Sequence, residues 1–156
     1  MTEIATPPRP IKPDARTRIA HIAVAYDDSA GAHAALAQAI ALMRVLPHAT
    51  LTVIAIDEPE HPSGQQQHVA GHTGADAHCR DWARKASEYA HEQSIDLTTD
   101  VRTGHAAGQI LIAARAAHAD LLVIGHGRHP ELHNRVLGST AEHVARHAFC
   151  SVLIAH

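Results

Sequence analysis

Short apolar runs separated by stretches of helical periodicity organise this chain from Ile19 onward. Residues 19–26 (IAHIAVAY) are rich in Ile and Val, which predicts a buried strand. Asp27, Asp28 and Ser29 follow and supply an N-cap for a helix over 31–45, where Leu36, Ile40 and Met43 recur at helical spacing. A second strand is predicted over 51–56. Residues 57–73, with Pro59, Pro62, Gly64, Gly71 and three glutamines, are expected to form a mobile loop. A second helix over 75–93 places Cys79, Trp82, Ala86 and Tyr89 on one face. The third strand, 96–102, alternates in polarity and should be more exposed than the first two. Gly104 opens a turn before a third helix over 106–118, built around Ile110, Leu111 and Ala114. A fourth strand over 121–124, a fourth helix over 139–148 and a last strand over 152–155 complete the pattern.

Alternating strands and helices with continuous apolar strands predict an α/β domain, a doubly wound parallel sheet with helices on both faces. Residues 1–17 hold four of the eight prolines and show no periodicity, so they are expected to be a disordered or loosely packed tail before a domain over 18–156. In doubly wound sheets ligands sit at the carboxyl ends of strands where the strand order reverses. Here that site would combine the ends of the first and fourth strands, with Asp27 opposite Gly125 and Gly138–Ser139 nearby. Gly125 ends a buried strand and Gly138–Ser139 opens a helix. Glycines allow close backbone approach to an anion, and the N–H groups at a helix start point at it. The same residues also suit simpler roles: Asp27 as a turn residue capping the first helix, and Gly138–Ser139 as a plain helix N-cap.

At 156 residues the chain is long enough for one domain with its own core. Hydrophobic residues make up 46% but aromatics only 3%, a balance that favours close helix-on-sheet packing over base-stacking surfaces. A net charge of −3 and a pI near 6.6 give no electrostatic case for nucleic acid or an anionic membrane. Cys79 and Cys150 form no disulfide framework and fit a reducing compartment. The first residues lack the apolar core of a signal peptide, and no apolar run reaches membrane-spanning length, so a soluble, cytoplasmic protein is expected.

Sixteen histidines outnumber the thirteen lysines and arginines. They are spread along the chain, which suits a compositional replacement of polar surface residues. Free histidine titrates near pH ~6.5, so mild acidification would swing the charge positive. His61, His68, His72, His78 and Cys79 are sound zinc or copper ligand types, and His68 with His72 is an i, i+4 pair. That pair needs a helix, which Gly71 and Gly74 oppose, so no metal site is expected; His68, His72 and His78 are the candidate ligands. His126, His129 and His133 fall in the glycine loop and are read as solvated loop residues. The chain has no Ser-His-Asp set in context, no framed carboxylate pair and no P-loop lysine, its two lysines being Lys12 and Lys85. Ser139 and His143 are also four apart, but a helix-start serine is expected to be engaged as the N-cap. The chain is therefore not read as an enzyme.

Four segments in order carry a family resemblance: AVAYDDSAGAHAAL from Ala23, RTGHAAGQILIAARAAHADLLVIG from Arg102, the glycine loop from Gly125 to Ser139, and RHAFCSVLIAH from Arg146. Residues 19–155 resemble the universal stress proteins, whose signature is Gly, two residues, Gly, nine residues, Gly-Ser/Thr. The sequence departs from that pattern at Asp28, where glycine is usual, at His105 and Ala106, at Ser151, and at Arg128. Arg128 occupies the middle glycine position, with Gly127 one place early. If that position needs positive φ, an arginine there is strained. Either the loop reshapes around Gly127, or ATP is held differently or not at all.

The resemblance implies an adenine nucleotide alpha hydrolase-like fold of five parallel strands in the order 3-2-1-4-5. It implies ATP, with or without Mg²⁺, as ligand. Asp27 would bond the adenosine moiety, with Ala25, Tyr26 and Ala55 around the base and Ile124 and Gly125 beside the ribose and phosphates. Gly127 and Arg128 would line the phosphate loop, and Gly138, Ser139 and Thr140 would donate to the phosphates. A homodimer through Val152, Leu153 and Ile154 and a further, unidentified protein partner are implied, with binding rather than turnover as output. The rival readings are a nucleotide-free dimeric interaction module and a histidine-based metal-binding protein.

Overall fold

Ile22 and Val24 turn to one side of a central sheet and Ala23 and Ala25 to the other, and the whole domain follows from that alternation. The structure, a computed structural model, describes residues 18–58, 75–127 and 137–156. The elements in chain order are β1 (His21–Ala25), α1 (Ala30–Val45), β2 (Thr50–Asp57), α2 (Ala75–Glu92), β3 (Thr98–Thr103), α3 (Ala106–Ala116), β4 (Leu121–Gly125), α4 (Ser139–His147) and β5 (Ser151–Ala155). Ile22, Val24, Leu51, Val53, Leu121 and Val123 pack under α1 and α2, against Leu36, Ile40, Ala86 and Ala90. Ala23, Ala25, Ile54, Leu122 and Ile124 pack under α3 and α4, against Ile110, Ala114 and Val144. Alanines on the helices of both faces, and on β1 beneath α3 and α4, let the helices sit close to the sheet.

All strand pairings are parallel and the order is β3-β2-β1-β4-β5, as expected. The chain runs outward from β1 through β2 to β3, then crosses to β4 on the other side of β1. The strand order thus reverses between β1 and β4, and their carboxyl ends splay around a cleft. β1 is shorter than its apolar run, although the Tyr26 N–H still donates to Ile54 O at 2.9 Å. β2 reaches Asp57, one residue into the stretch expected as loop, because β3 pairs with it as far as Asp57–Thr103. The expectations for residues 1–17 and 59–73, and those for His68, His72 and Arg128, lie outside the described residues.

β3 and β5 are the two edges. β3 is half-buried to exposed throughout, matching its alternating sequence. On β5, Val152 and Ile154 rest against the α3/α4 side and Leu153 against the α1/α2 side, all half-buried. At the opposite end from the cleft, Asp120 joins three strands. Its Oδ2 accepts from the N–H groups of Ala20 (2.8 Å) and His21 (2.9 Å), its own N–H donates to His21 O (2.8 Å), and its carbonyl accepts from Ser151 N–H (3.2 Å).

Candidate functional site

The turn after β1 forms one rim of the cleft. Asp27 Oδ1 accepts the Ser29 N–H at 3.1 Å, and Ser29 caps α1, its Oγ accepting from Ala32 N–H at 3.2 Å. Ser29 is thus the cap and Asp27 the brace of the turn; the second Asp27 oxygen has no partner among the described residues. Between them Asp28 stands at φ +60°, a left-handed conformation that L side chains other than Asn and Asp seldom take. Its carboxylate meets Lys85 Nζ at 2.6 Å, His33 Nε2 at 3.0 Å and the Tyr26 hydroxyl, which donates at 3.2 Å. The hydrogen bond from Lys85 holds the Asp28 carboxyl below the usual carboxylate range. Burial, aided by the Asp28 charge, pushes the Tyr26 phenol well above its ordinary value, so Tyr26 stays a neutral donor.

Gly125 closes β4 beneath that turn, and it is glycine because α1 leaves no room for a side chain. A Cβ there would lie 2.5 Å from Gly31 O and 2.8 Å from Gly31 Cα. The sequence reading gave Gly125 to anion approach; close helix-on-strand contact with Gly31 is a separate requirement for glycine there, and Gly125 also lines the cavity. Two residues on, Gly127 takes φ +69°. A left-handed position therefore falls on the glycine that stands one place early, Arg128 itself lying outside the described residues. Gly138 folds back onto it, its N–H donating to His126 O at 3.0 Å and a Cβ on Gly127 lying 3.2 Å from Gly138 Cα.

Gly138 is also the N-cap of α4, with no side-chain capping bond. The expectation that Ser139 serves as the cap is thus corrected: Ser139 is the first residue of the helix. A glycine cap leaves the first N–H groups without a side-chain acceptor, which makes this helix start electrostatically suited to an anion.

These pieces enclose one cavity of about 730 Å³ at the carboxyl ends of the strands. Of the residues expected there, Ala25, Tyr26 and Asp27 line it from β1, Ile124, Gly125 and Gly127 from β4, and Gly138, Ser139 and Thr140 from α4. Ala55 does not line it; it is fully buried in β2 while its neighbours Ile54 and Ile56 face the space. The sequence missed the wall supplied by α2, where His78, Cys79 and Trp82 line the cavity. The apolar stripe of α2 held Cys79 and Trp82 but did not say that its first turns border the cavity. Asp57 and Glu58, assigned to a loop, also line it, and Glu58 pairs with His105 Nδ1 at 3.2 Å. His78 thus lies in this wall, and no group of three or more His, Cys, Asp or Glu side chains converges on a metal position among the described residues. Cys150 lies apart from the cavity, with burial pushing its thiol up. No helix of the described residues is long and apolar enough to cross a membrane.

The polarity of the cavity is divided. Carboxylates of Asp27, Asp57 and Glu58 gather near the ends of β1 and β2. Ile54, Ile56, Ile110 and Ile124 form apolar sides, and backbone N–H groups and hydroxyls stand at the start of α4. The fold that frames this cavity superposes on solved structures. A solved universal stress protein in complex with cAMP superposes with a TM-score of 0.67 at 21% identity, covering 88% of this chain and 97% of that one. A universal stress protein from Archaeoglobus fulgidus in complex with dAMP superposes with a TM-score of 0.65 at 16% identity, covering 89% and 98%. In sequence, a universal stress protein of Methanocaldococcus jannaschii is 34% identical over 71 residues, which is 46% of this chain and 42% of that relative, so the aligned part spans under half of it. The model of the Universal stress protein family matches residues 19–156, and with that span matched the chain belongs to this family.

Proposed function

We propose that the cavity binds an adenine nucleotide, ATP with or without Mg²⁺, and that the protein serves the stress response through its bound and unbound states rather than by turnover. One observation carries the reading: the glycine-capped start of α4 and the left-handed Gly127 face the same cavity as Asp27. In this reading the N–H groups of Gly127, Ser139 and Thr140 hold phosphate oxygens, and the hydroxyls of Ser139 and Thr140 offer the hard oxygen ligands that Mg²⁺ takes. The second oxygen of Asp27 accepts from a ribose hydroxyl or the base amine, and the isoleucine-lined sides take the flat base. The related structures that hold cAMP and dAMP support the adenine class. Backbone N–H groups and hydroxyls at the start of α4 supply no general base, and the carboxylates of Asp27, Asp57 and Glu58 gather instead near the ends of β1 and β2, so binding rather than turnover is proposed.

Assembly belongs to the same proposal. β5 is an edge strand with half-buried Val152, Leu153 and Ile154, and an apolar edge invites pairing. A cytoplasmic homodimer that a further protein partner reads in its two nucleotide states is the arrangement we infer. Calorimetric titration with ATP and MgCl₂, beside AMP and cAMP, tests it. Micromolar to millimolar binding is expected. No heat and no thermal shift at millimolar nucleotide would refute it and leave the nucleotide-free interaction module, while metal analysis of protein purified without a nickel column decides the histidine-based alternative.

A further inference from the structure

Resting on the adenine-nucleotide reading, we propose that the Asp28–Lys85 ion pair is a latch that positions α2 as a wall of the cavity, so that nucleotide affinity depends on it. The pair joins the β1–α1 turn to a helix 57 residues away, at 2.6 Å. Tyr26 and Asp27, on the turn's side, line the cavity; so do His78, Cys79 and Trp82, all within seven residues of Lys85 on α2. The contact therefore spans the two walls between which a ligand would lie.

Three features mark the turn as held rather than incidental. Asp28 keeps a left-handed backbone that glycine would adopt without cost. Its carboxylate is engaged from every element around it: Lys85 from α2, His33 from α1 and Tyr26 from the end of β1. Lys85 is itself steadied by Asp81 at 3.3 Å. The Lys85 ammonium is held above its ordinary value, the Asp28 hydrogen bond being the largest cause, and Asp28 is held below its own, so both partners stay charged across the neutral range. Asp28 and Lys85 are positioning residues here; neither lines the cavity.

The test is a double-mutant cycle read on nucleotide affinity. Lys85→Met keeps the aliphatic stem, and Asp28→Asn keeps a residue that tolerates positive φ, so both should fold. Each single variant should weaken ATP–Mg²⁺ binding by about two- to fivefold, the range of a partly exposed ion pair. The double variant should be no weaker than the worse single one. Amide exchange over residues 77–82, without nucleotide, should quicken by a similar factor in each single variant. The fluorescence of Trp82, the one tryptophan of the chain, should report the altered wall. Unchanged affinity in both single variants, or losses that simply add, would overturn the latch. If the wild type binds no nucleotide, the functional reading fails, and the latch then stands or falls on exchange alone: unaltered exchange in Lys85→Met sinks it.

Discussion

Replacing Gly125 by alanine should destabilise the domain far more than replacing Gly31, although the two glycines touch. The asymmetry comes from where each new Cβ would point. At Gly125 it lands 2.5 Å from Gly31 O and 2.8 Å from Gly31 Cα, inside backbone that has no side chain to swing away. Relief requires α1 to retreat from β4. Such overpacking costs about 1–3 kcal/mol, and the upper part of that range is expected because backbone must move. For a domain of this size each kcal/mol lowers Tm by about 2–4 °C, so Gly125→Ala should melt roughly 5–10 °C lower. At Gly31 the new Cβ meets Gly125 Cα at 3.4 Å and the N–H nitrogens of His126 and Gly127 at 3.5 Å, which is close but ordinary contact. Alanine also suits a helix by up to about 1 kcal/mol, so Gly31→Ala should stay within about 1 kcal/mol of the parent. Urea denaturation followed by circular dichroism, with thermal melts of the same samples, measures both. Equal stability of Gly125→Ala and parent, or equal losses in the two variants, would refute the contact and return Gly125 to a role in ligand approach alone.

Asp27→Ala should weaken ATP by roughly 1–3 kcal/mol by calorimetry, since the ligand donors it accepts would be left unpaired. Gly127→Ala should lose about 1–2 kcal/mol of stability and bind nucleotide more weakly, because φ +69° and the 3.2 Å approach to Gly138 Cα both oppose a side chain. Arg128→Gly, by contrast, should not tighten ATP binding: a weaker Kd would support a guanidinium on the phosphates, and a tighter one would count against a loop reshaped around Gly127. A glutamate at Val152 or Ile154 should convert a dimer to 16.7 kDa monomers or to insoluble protein in light scattering, and a monomeric parent at micromolar concentration would contradict the assembly. Asp28 and Asp81 have carboxyls depressed by hydrogen bonds from Lys85 and from Arg84 respectively. Their stabilising effect is therefore present above the ordinary carboxylate range and lost as pH falls through their lowered values, so Lys85→Met should flatten the acid limb of a stability–pH curve.

β1, β2, β4 and β5 were legible because short apolar runs rich in Ile, Val and Leu and bounded by polar turns favour buried parallel strands, and β3 because its polarity alternates. Of the ten expected nucleotide residues that are described, nine line the cavity, because strand ends and helix starts are marked by residues with special backbone needs. What escaped was three-dimensional adjacency. Gly31 lies inside a helix, where its contact with Gly125 leaves no local trace. The α2 wall depends on where that helix packs along the sheet, and periodicity says which face is apolar but not which cavity that face borders. Ala55 was misplaced for a related reason: along β2 alternate residues face opposite ways, and Ile54 and Ile56 took the cavity side. Asp28 stands where the resemblance expects glycine yet keeps the left-handed backbone, which aspartate tolerates and which its three side-chain partners hold in place.

Asp120 gives the sheet an anchored end and a free end. Its one side chain and peptide unit secure β1, β4 and β5 where those strands begin, while the cavity occupies the opposite tips. Fluctuations that admit or release a ligand can then fan outward from a fixed root, as the ribs of a hand-held fan do from the pivot. Changes of loop sequence at the tips are insulated from the root for the same reason. Substitutions that retune the cavity can thus be made at one pole of the molecule while the hydrogen bonds of Asp120 hold the other.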